Sequence, residues 1–263
     1  MSLFSGAGQP AVTRDALALP EGQRLTRPAV DLEILIPARD EERRLGATIS
    51  STVDYLADQP WSSSVLVVDN GSVDRTLSVV DAIARGTRVP VRVLGCRPPG
   101  KGAAVRRGVL TSAGRYVGFM DADMATPIST LDAVMPLLEQ GYAAIVASRR
   151  AMGSRYVVKQ DVSRRLGGAL FRVVARRVVS GVQDTQCGFK FFDGDVVRDV
   201  LSRHRTIDGF AFDLSLLRAL KREGHTVVEL PVDWSDGAFS TVSRVDAARA
   251  VADAARLIDP RWA

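Results

Sequence analysis

The sequence is poor in cysteine, histidine, lysine and aromatic residues, and each shortage narrows what the chain can be. Its two cysteines, Cys96 and Cys187, are far apart and fall in no CxxC or Cys/His spacing, so neither a disulfide framework nor a zinc site is indicated and both read as reduced thiols. The two histidines, His204 and His225, join no constellation of reactive side chains. Lysine occurs only at Lys101, Lys159, Lys190 and Lys221, so the net charge of +5 rests almost wholly on arginine. That excess suits anionic partners, whether phosphates, nucleic acid or an acidic lipid surface. With aromatics at 6% and no interleaved stacking residues, nucleic acid is the least supported of the three. Apolar runs are short, such as Val65 to Val68 and Tyr142 to Ala147, far below the roughly 18 to 20 residues that span a bilayer. The first thirty residues mix Gly, Pro, Asp and Arg without a basic-then-apolar order, which does not read as a secretory signal and leads us to expect a cytoplasmic location.

What is present is an alternation of strand and helix patterns. With 263 residues and 46% hydrophobic content, the chain can bury one large core, and a single domain is expected over 30–263 after a poorly ordered arm at 1–29. Leu32 to Ile36 reads as a buried strand ended by Pro37, followed by a helix over Asp40 to Leu56 with apolar residues at Leu45, Ile49, Val53 and Leu56. The unit repeats: strand Ser64 to Val68, turn Asp69 to Ser72, helix Asp74 to Arg85, strand Val91 to Leu94, loop Arg97 to Gly102, helix Ala103 to Ser112, strand Tyr116 to Met120. The second half carries a strand at Tyr142 to Ala147, a basic stretch Ser148 to Lys159, a helix over Ser163 to Val179, and a loop and strand over Gln183 to Phe192. Helices near Val196 to Ser202 and Asp213 to Gly224, a strand Thr226 to Leu230 and a last helix Arg244 to Ile258 complete it. The class is α/β, with a mostly parallel central sheet flanked by helices and ligands at the carboxyl ends of its strands. Residues 30–127 are expected to bind a nucleotide and 128–263 an acceptor.

Three clusters at such strand ends carry chemistry. Asp121-Ala122-Asp123 leaves a buried strand with two carboxylates aimed at one region, a donor set for Mg²⁺ or Mn²⁺ shared with phosphate oxygens; a solvated acidic turn is the plainer reading. In Asp69-Asn70-Gly71-Ser72, the Asp69 carboxylate can accept from a base or ribose, and it can equally close an Asx-turn. Pro98-Pro99-Gly100-Lys101-Gly102 sets one lysine before a helix, a phosphate cradle that also approaches the ATP-binding P-loop. Gly102 stands where that motif needs a Ser or Thr hydroxyl, which counts against it.

Together these stretches resemble the family 2 glycosyltransferases, and among them the dolichyl-phosphate glucose and mannose synthases. The matching segments are ILIPARDEERRL (34–45), VLVVDNGSVDRT (65–76), PGKGAAVRRGV (99–109), FMDADMATP (119–127), DTQCGFKFF (184–192) and 209–234, in the family's order. The resemblance implies a GT-A fold, a nucleoside diphosphate sugar donor and inversion at the anomeric carbon. It places Pro37, Ala38, Arg39 and Glu41 around the nucleoside, Asp69 with Asn70 and Gly71 at the base, and Lys101 and Ala122 beside the nucleotide. Asp121 would touch ribose or donor sugar and Asp123 would ligate the metal. Gln186, Lys190 and Asp213 would face sugar and acceptor. Ala125 occupies the position where mannose-type members carry a Gln ligand, so Ala125-Thr126-Pro127 leans towards a UDP-sugar.

Asp123, Lys190 and Asp213 are thus the expected catalytic residues. A phosphate acceptor needs no strong base; a hydroxyl acceptor does, and Asp213 is the candidate, with a helix N-cap as its alternative role. Arg149 and Arg155, with Arg150, Arg164 and Arg165, are expected to clamp an acceptor phosphate or approach an anionic membrane. Helix 163–179 has Leu166, Leu170, Val173 and Val174 on one side, which suits either docking at an interface or burial in its own core. Three readings stay open: a polyprenyl-phosphate glycosyltransferase peripheral at the inner membrane face, a transferase for a small-molecule acceptor in specialised metabolism, and a P-loop-like or non-catalytic nucleotide-binding protein.

Overall fold

The computed structural model describes residues 29–156, 171–235 and 244–259. The expected arm, and within the basic stretch and the following helix Lys159, Arg164, Arg165, Leu166 and Leu170, lie outside the described residues.

β1 (Val30–Ala38), β2 (Ser63–Asp69), β3 (Val91–Gly95) and β4 (Gly114–Met120) alternate with α1 (Leu45–Ala57), α2 (Thr76–Ala84) and α3 (Lys101–Thr111). After a short 3₁₀ turn, Ile128–Thr130, come α4 (Leu131–Glu139), β5 (Ala144–Ser148), the two-residue β6 (Arg155–Tyr156) and a helical stretch α5 (171–178). β7 (Phe189–Asp193), α6 (Gly194–Arg203), α7 (Phe212–Arg222), β8 (Val227–Pro231), β9 (Asp233–Trp234) and α8 (Arg244–Arg256) follow. The main sheet runs β3-β2-β1-β4-β7-β5-β8 and only β7 is antiparallel to its neighbours, while β6 pairs with β9. The α/β reading with a mostly parallel sheet therefore holds.

Strand alternation divides the core. Leu32, Ile34 and Ile36 face α1 and α4, whereas Leu35 faces the side covered by α3, α6 and α7, each fully buried. On the second side Phe119 lies between Phe192, with centroids 6.2 Å apart, and Phe212 at 6.5 Å. Crossovers from β1 lead first to β2 and β3, and only later back to β4 on its other side. This reversal opens a crevice at the carboxyl ends of β1 and β4.

Several boundaries differ from expectation for local reasons. β1 continues through Pro37 to Ala38, since proline's fixed φ suits extended backbone. α1 starts at Leu45 rather than Asp40. Asp40 has a positive φ of 55°, and the N–H groups of Asp40, Glu41 and Glu42 donate to Ser72 Oγ, Thr76 Oγ1 and Asp74 Oδ2, which locks them to the next loop. α3 begins two residues earlier, placing Lys101 in its first turn. α4 fills a stretch the sequence reading leaves unassigned: Leu131, Val134, Met135 and Leu138 make its buried stripe around an internal Pro136. Asp213 does not cap α7; it sits in the first turn behind Ala211, which makes no side-chain cap bond.

Replacing Phe119 with alanine removes the ring that both neighbouring aromatics touch, and we expect it to lower unfolding free energy by about 3–5 kcal/mol, read as a reduced urea midpoint at unchanged slope.

Candidate active site

A cleft of about 880 Å³ opens over the carboxyl edge of the sheet. Its first wall is the chain leaving β1 and β4, with Pro37, Ala38, Arg39, Glu41, Arg44, Asp121, Ala122 and Asp123. Asn70, Gly100 and Lys101 form the next stretch. Arg149, Asp184, Gln186 and Asp213 face them from the second half, and α5 and α8 add Phe171, Arg172, Ala175, Arg176, Arg249, Ala250 and Asp253. A cleft of this size has room for a nucleotide sugar and the polar end of an acceptor.

The Asp121 carboxylate rests over Gly188, and the Asp121 N–H donates to the Gly188 carbonyl at 2.9 Å. A Cβ at 188 would overlap that carboxylate, so the glycine is what lets Asp121 lie there. Lys101 Nζ reaches Asp121 Oδ1 at 2.6 Å. Burial works to lower the Lys101 pKa, but the charges of Asp121 and Asp213 outweigh it and hold the ammonium above its ordinary range. Asp123 lies close by, its Oδ1 accepting from the Ala125 N–H at 3.2 Å. Burial, then the negative charge of Asp121, push its carboxyl upward, and the charges of Arg44 and Lys101 only partly offset them. Among the described residues no group of three or more His, Cys, Asp or Glu side chains forms a metal cage. Two carboxylates facing an open cleft nonetheless fit Mg²⁺ or Mn²⁺, which take one or two protein carboxylates and complete their shell from phosphate and water.

Lys101 is delivered by a loop that two glycines make possible. Gly100 has φ 122° and donates its N–H to Asn70 Oδ1 at 2.8 Å, while Asn70 Nδ2 donates to the Pro98 carbonyl at 2.7 Å. Gly102 packs against the Ile207 carbonyl and Phe212 Cβ with no room for a Cβ. The serine or threonine that a P-loop requires at this point is therefore sterically excluded, whatever the cleft binds.

Asp69 and Gly71 stand behind this wall rather than on it. Asp69 is 8% exposed and accepts from the Ser72 N–H at 3.2 Å, closing the Asx-turn foreseen as its second role. Lys190 is wholly buried and does not line the cleft. Its ammonium donates to Asp213 Oδ1 and to the Cys187 carbonyl, both at 2.5 Å, and so ties α7 to the turn beneath Asp121. Arg155 is exposed in β6, away from the lining. Arg149 lies on the cleft wall, but its guanidinium is committed to Asp184 in a bidentate pair at 2.6 and 2.8 Å and stacks 5.4 Å from the Trp234 ring. The two histidines flank Glu223 elsewhere, His204 Nε2 lying 2.6 Å from Glu223 Oε1.

Four contributors escaped the sequence reading. Arg44 is held by Glu41 in a bidentate pair at 2.7 and 2.6 Å, a contact that the three-residue spacing signals. Asp184 has no local signal, because its partner is 35 residues away. Arg249 and Asp253 reach the cleft from the last helix, one turn apart.

Comparison with known proteins places this geometry. Residues 33–201 match the model of Glycosyl transferase family 2. A dolichyl-phosphate beta-glucosyltransferase of Trichomonas vaginalis is 30% identical over 80% of this chain and 67% of its own length, and that of Homo sapiens is 28% identical over 82% and 72%. The one from Dictyostelium discoideum is 29% identical, with 66% of its length covered. The chain thus spans about two thirds of these relatives. Among solved structures, glucosyl-3-phosphoglycerate synthase from Mycobacterium tuberculosis with Mn²⁺, UDP and phosphoglyceric acid superposes with a TM-score of 0.66 at 19% identity, over 88% of this chain and 78% of that one. The same enzyme with Mg²⁺ and UDP gives 0.62 at 21% identity, over 89% and 80%. At this identity the likeness establishes the shared fold.

Asp184 supplies a pH signature. Burial opposes its ionisation, but the side-chain and backbone hydrogen bonds and charge of Arg149, with Lys190 behind, outweigh it and bring the pKa to about 2 from an ordinary 3.8. A carboxyl depressed on folding stabilises the native state above its unfolded pKa and loses that contribution as pH falls through its folded one. We expect about 2 kcal/mol of stability to disappear between about pH 4 and pH 2. Asp184→Asn should remove that step from the pH dependence of urea unfolding.

Proposed function

The chain belongs to Glycosyl transferase family 2 and is a glycosyltransferase, and from that premise we propose that it moves a sugar, with inversion, from a UDP-sugar to a polyprenyl-phosphate acceptor. The observation that carries the donor half is the placing of Asp123 beside Asp121 and its partner Lys101 at the mouth of β4, where a diphosphate and its cation have opposite charges to meet. UDP is favoured over GDP by Ala125 in the place of a mannose-type Gln and by the neighbour of the same fold that holds UDP-glucose.

The acceptor half rests on the far end of the cleft. Phe171, Ala175, Val182, Phe210 and Ala250 give it an apolar lining, and Arg150, Arg172, Arg176 and Arg249 edge it. A phosphate on a hydrocarbon chain has the same two-part chemistry. Two exposed apolar residues adjoin these arginines in the chain, Met152 at 97% and Val173 at 56% exposure, which supports contact of this rim with an anionic bilayer surface. No helix of the described residues is long and apolar enough to cross a membrane.

In this reading Pro37, Ala38, Arg39 and Glu41 border the nucleoside, with Asn70, and Asp69 supports them from behind. When bound to Asp123 and Asp121, Mg²⁺ or Mn²⁺ supplies charge neutralisation at the leaving diphosphate. Lys101 turns its ammonium from Asp121 to the same phosphates. A phosphate acceptor is already ionised near neutral pH, so Asp213, held by Lys190, orients the acceptor side; towards a hydroxyl it would take the proton. Gln186 and Arg149 border the path between donor and acceptor. A second reading, transfer to a small phosphate-bearing acceptor, is favoured by the neighbour of the same fold that holds phosphoglyceric acid.

The test combines donor binding with transfer. Mn²⁺ with UDP or a UDP-sugar should raise the melting temperature, and Asp123→Ala should abolish the metal-dependent part. Radiolabelled UDP-glucose and a short polyprenyl phosphate should then give a lipid-soluble product. Arg176→Ala with Arg249→Ala should raise the acceptor KM at least tenfold with the donor KM unchanged. A metal-independent shift, or a response to GDP-mannose alone, refutes the proposed donor; labelled phosphoglycerate in place of lipid selects the second reading.

A further inference from the structure

Asp123 faces a second cation that the reaction scheme leaves unused. Arg44 Nη1 lies 3.9 Å from Asp123 Oδ2, and its side chain and that of Glu41 are only 16% and 11% exposed. Glu41 holds the guanidinium through both Nε and Nη2. One turn further along α1, Thr48 donates to the Ala122 carbonyl at 2.7 Å, between the two aspartates. The Arg44 backbone is thus fixed to the very loop that presents Asp123. Glu41 is fixed in turn, its N–H donating to Thr76 Oγ1 at 2.8 Å. A positive charge built into the wall at this distance acts on anything that approaches Asp123.

We propose that Arg44 is a resident counter-cation that makes divalent-metal binding at Asp123 conditional on the nucleotide, a role that rests on the transferase reading above. A metal ion arriving alone must share Asp123 with Arg44 and meets Lys101 already seated on Asp121. A metal ion arriving with a diphosphate brings anionic oxygens to which both side chains can turn, so repulsion becomes attraction. Arginine suits the task because its charge is permanent and its planar fork holds Glu41 through two nitrogens while the third, Nη1, lies 3.9 Å from Asp123. The consequence is order: cation and nucleotide sugar enter together, and the carboxylate pair is kept from capturing metal between turnovers. Arg44 is then a positioning residue for the metal site, acting through Asp123.

The test reads metal binding without turnover, by titrating Mn²⁺ against the full chain and following free ion by electron paramagnetic resonance, with and without UDP. Arg44→Gln keeps a donor for Glu41 but removes the charge, and should tighten Mn²⁺ binding in the absence of UDP by about tenfold, the scale expected for a unit charge about 4 Å from a partly exposed carboxylate. Arg44→Lys should stay within about threefold of the native protein. UDP should enhance Mn²⁺ affinity strongly in the native protein and much less in Arg44→Gln. Unchanged or weaker metal-only binding in a folded Arg44→Gln overturns the proposal. If that variant does not fold, Glu41→Gln carries the test: freed of its anchor, Arg44 closes on Asp123, so Mn²⁺ alone should bind several-fold more weakly, and equal binding overturns the proposal. Loss of the UDP effect in the native protein itself would instead refute the donor reading on which this one rests.

Discussion

The site depends on gathering four carboxylates, Glu41, Asp121, Asp123 and Asp213, around one open cleft. Like charges at such spacing raise one another's pKa and resist burial unless each is given a cation. The fold assigns one to each: Arg44 to Glu41 and, more loosely, Asp123; Lys101 to Asp121; Lys190 to Asp213. The assignment is graded. Lys190 and Asp213 are sealed beneath the surface at 2.5 Å, Lys101 and Asp121 touch at the edge, and Arg44 stops 3.9 Å short of Asp123. Asp123 is the most loosely paired of the four, although at 23% exposure its side chain is less open than that of Asp121 at 39%.

These pairings are built from backbone choices as much as from charges. Gly188 lets Asp121 settle on the turn whose preceding carbonyl, Cys187, is held by Lys190. Gly100 and Gly102 let the Lys101 loop lie against 207–212, so the start of α3 and the start of α7 share one contact. Phe119 sits below both lysines, with Lys101 Nζ 5.8 Å and Lys190 Nζ 5.3 Å from its ring, and screens two like charges with a π-face attractive to each. Removing any one glycine would displace a charge rather than merely a side chain.

Much of this was legible in the sequence because it is local. Strand and helix alternation located every β-strand of the main sheet, and the clusters at 98–102 and 121–123 fell on the cleft, since a parallel sheet gathers its carboxyl ends on one edge; of 69–72 only Asn70 lines it, and Pro37, Ala38, Arg39 and Glu41, which the family resemblance pointed to, line it as well. What escaped was non-local. Lys190 was expected to face sugar and acceptor, but the antiparallel placement of β7 between β4 and β5 turns it inward beneath Asp213. Arg149 was expected on a phosphate, yet Asp184, brought back by the chain entering β7, takes two of its three guanidinium nitrogens. α4 was obscured by Pro136, although its buried stripe at Leu131, Val134, Met135 and Leu138 has ordinary helical spacing.

The two halves of the cleft answer different physical demands, and this bears on how one fold can serve unlike acceptors. The donor wall is made of short connections from β1 and β4, pinned by side-chain bonds from the neighbouring loop, as where Ser72, Thr76 and Asp74 fasten residues 40–42. On the proposed function, such a wall would hold a diphosphate and its cation in one geometry, which transition-state stabilisation requires. The acceptor wall comes from helices α5 and α8, whose contribution is a change of side chain rather than a change of loop. Arg172 and Arg176, like Arg249 and Asp253, repeat at four-residue spacing and so present a line of charge beside Phe171, Ala175 and Ala250. A helix face of this kind can be rewritten for a lipid phosphate or for a small phosphorylated acid without disturbing the donor wall. Sharing a fold with an enzyme crystallised with phosphoglyceric acid therefore leaves the acceptor to be decided by these two helices. Their apolar residues beside the arginines are the ground for proposing a phosphate carried on a hydrocarbon.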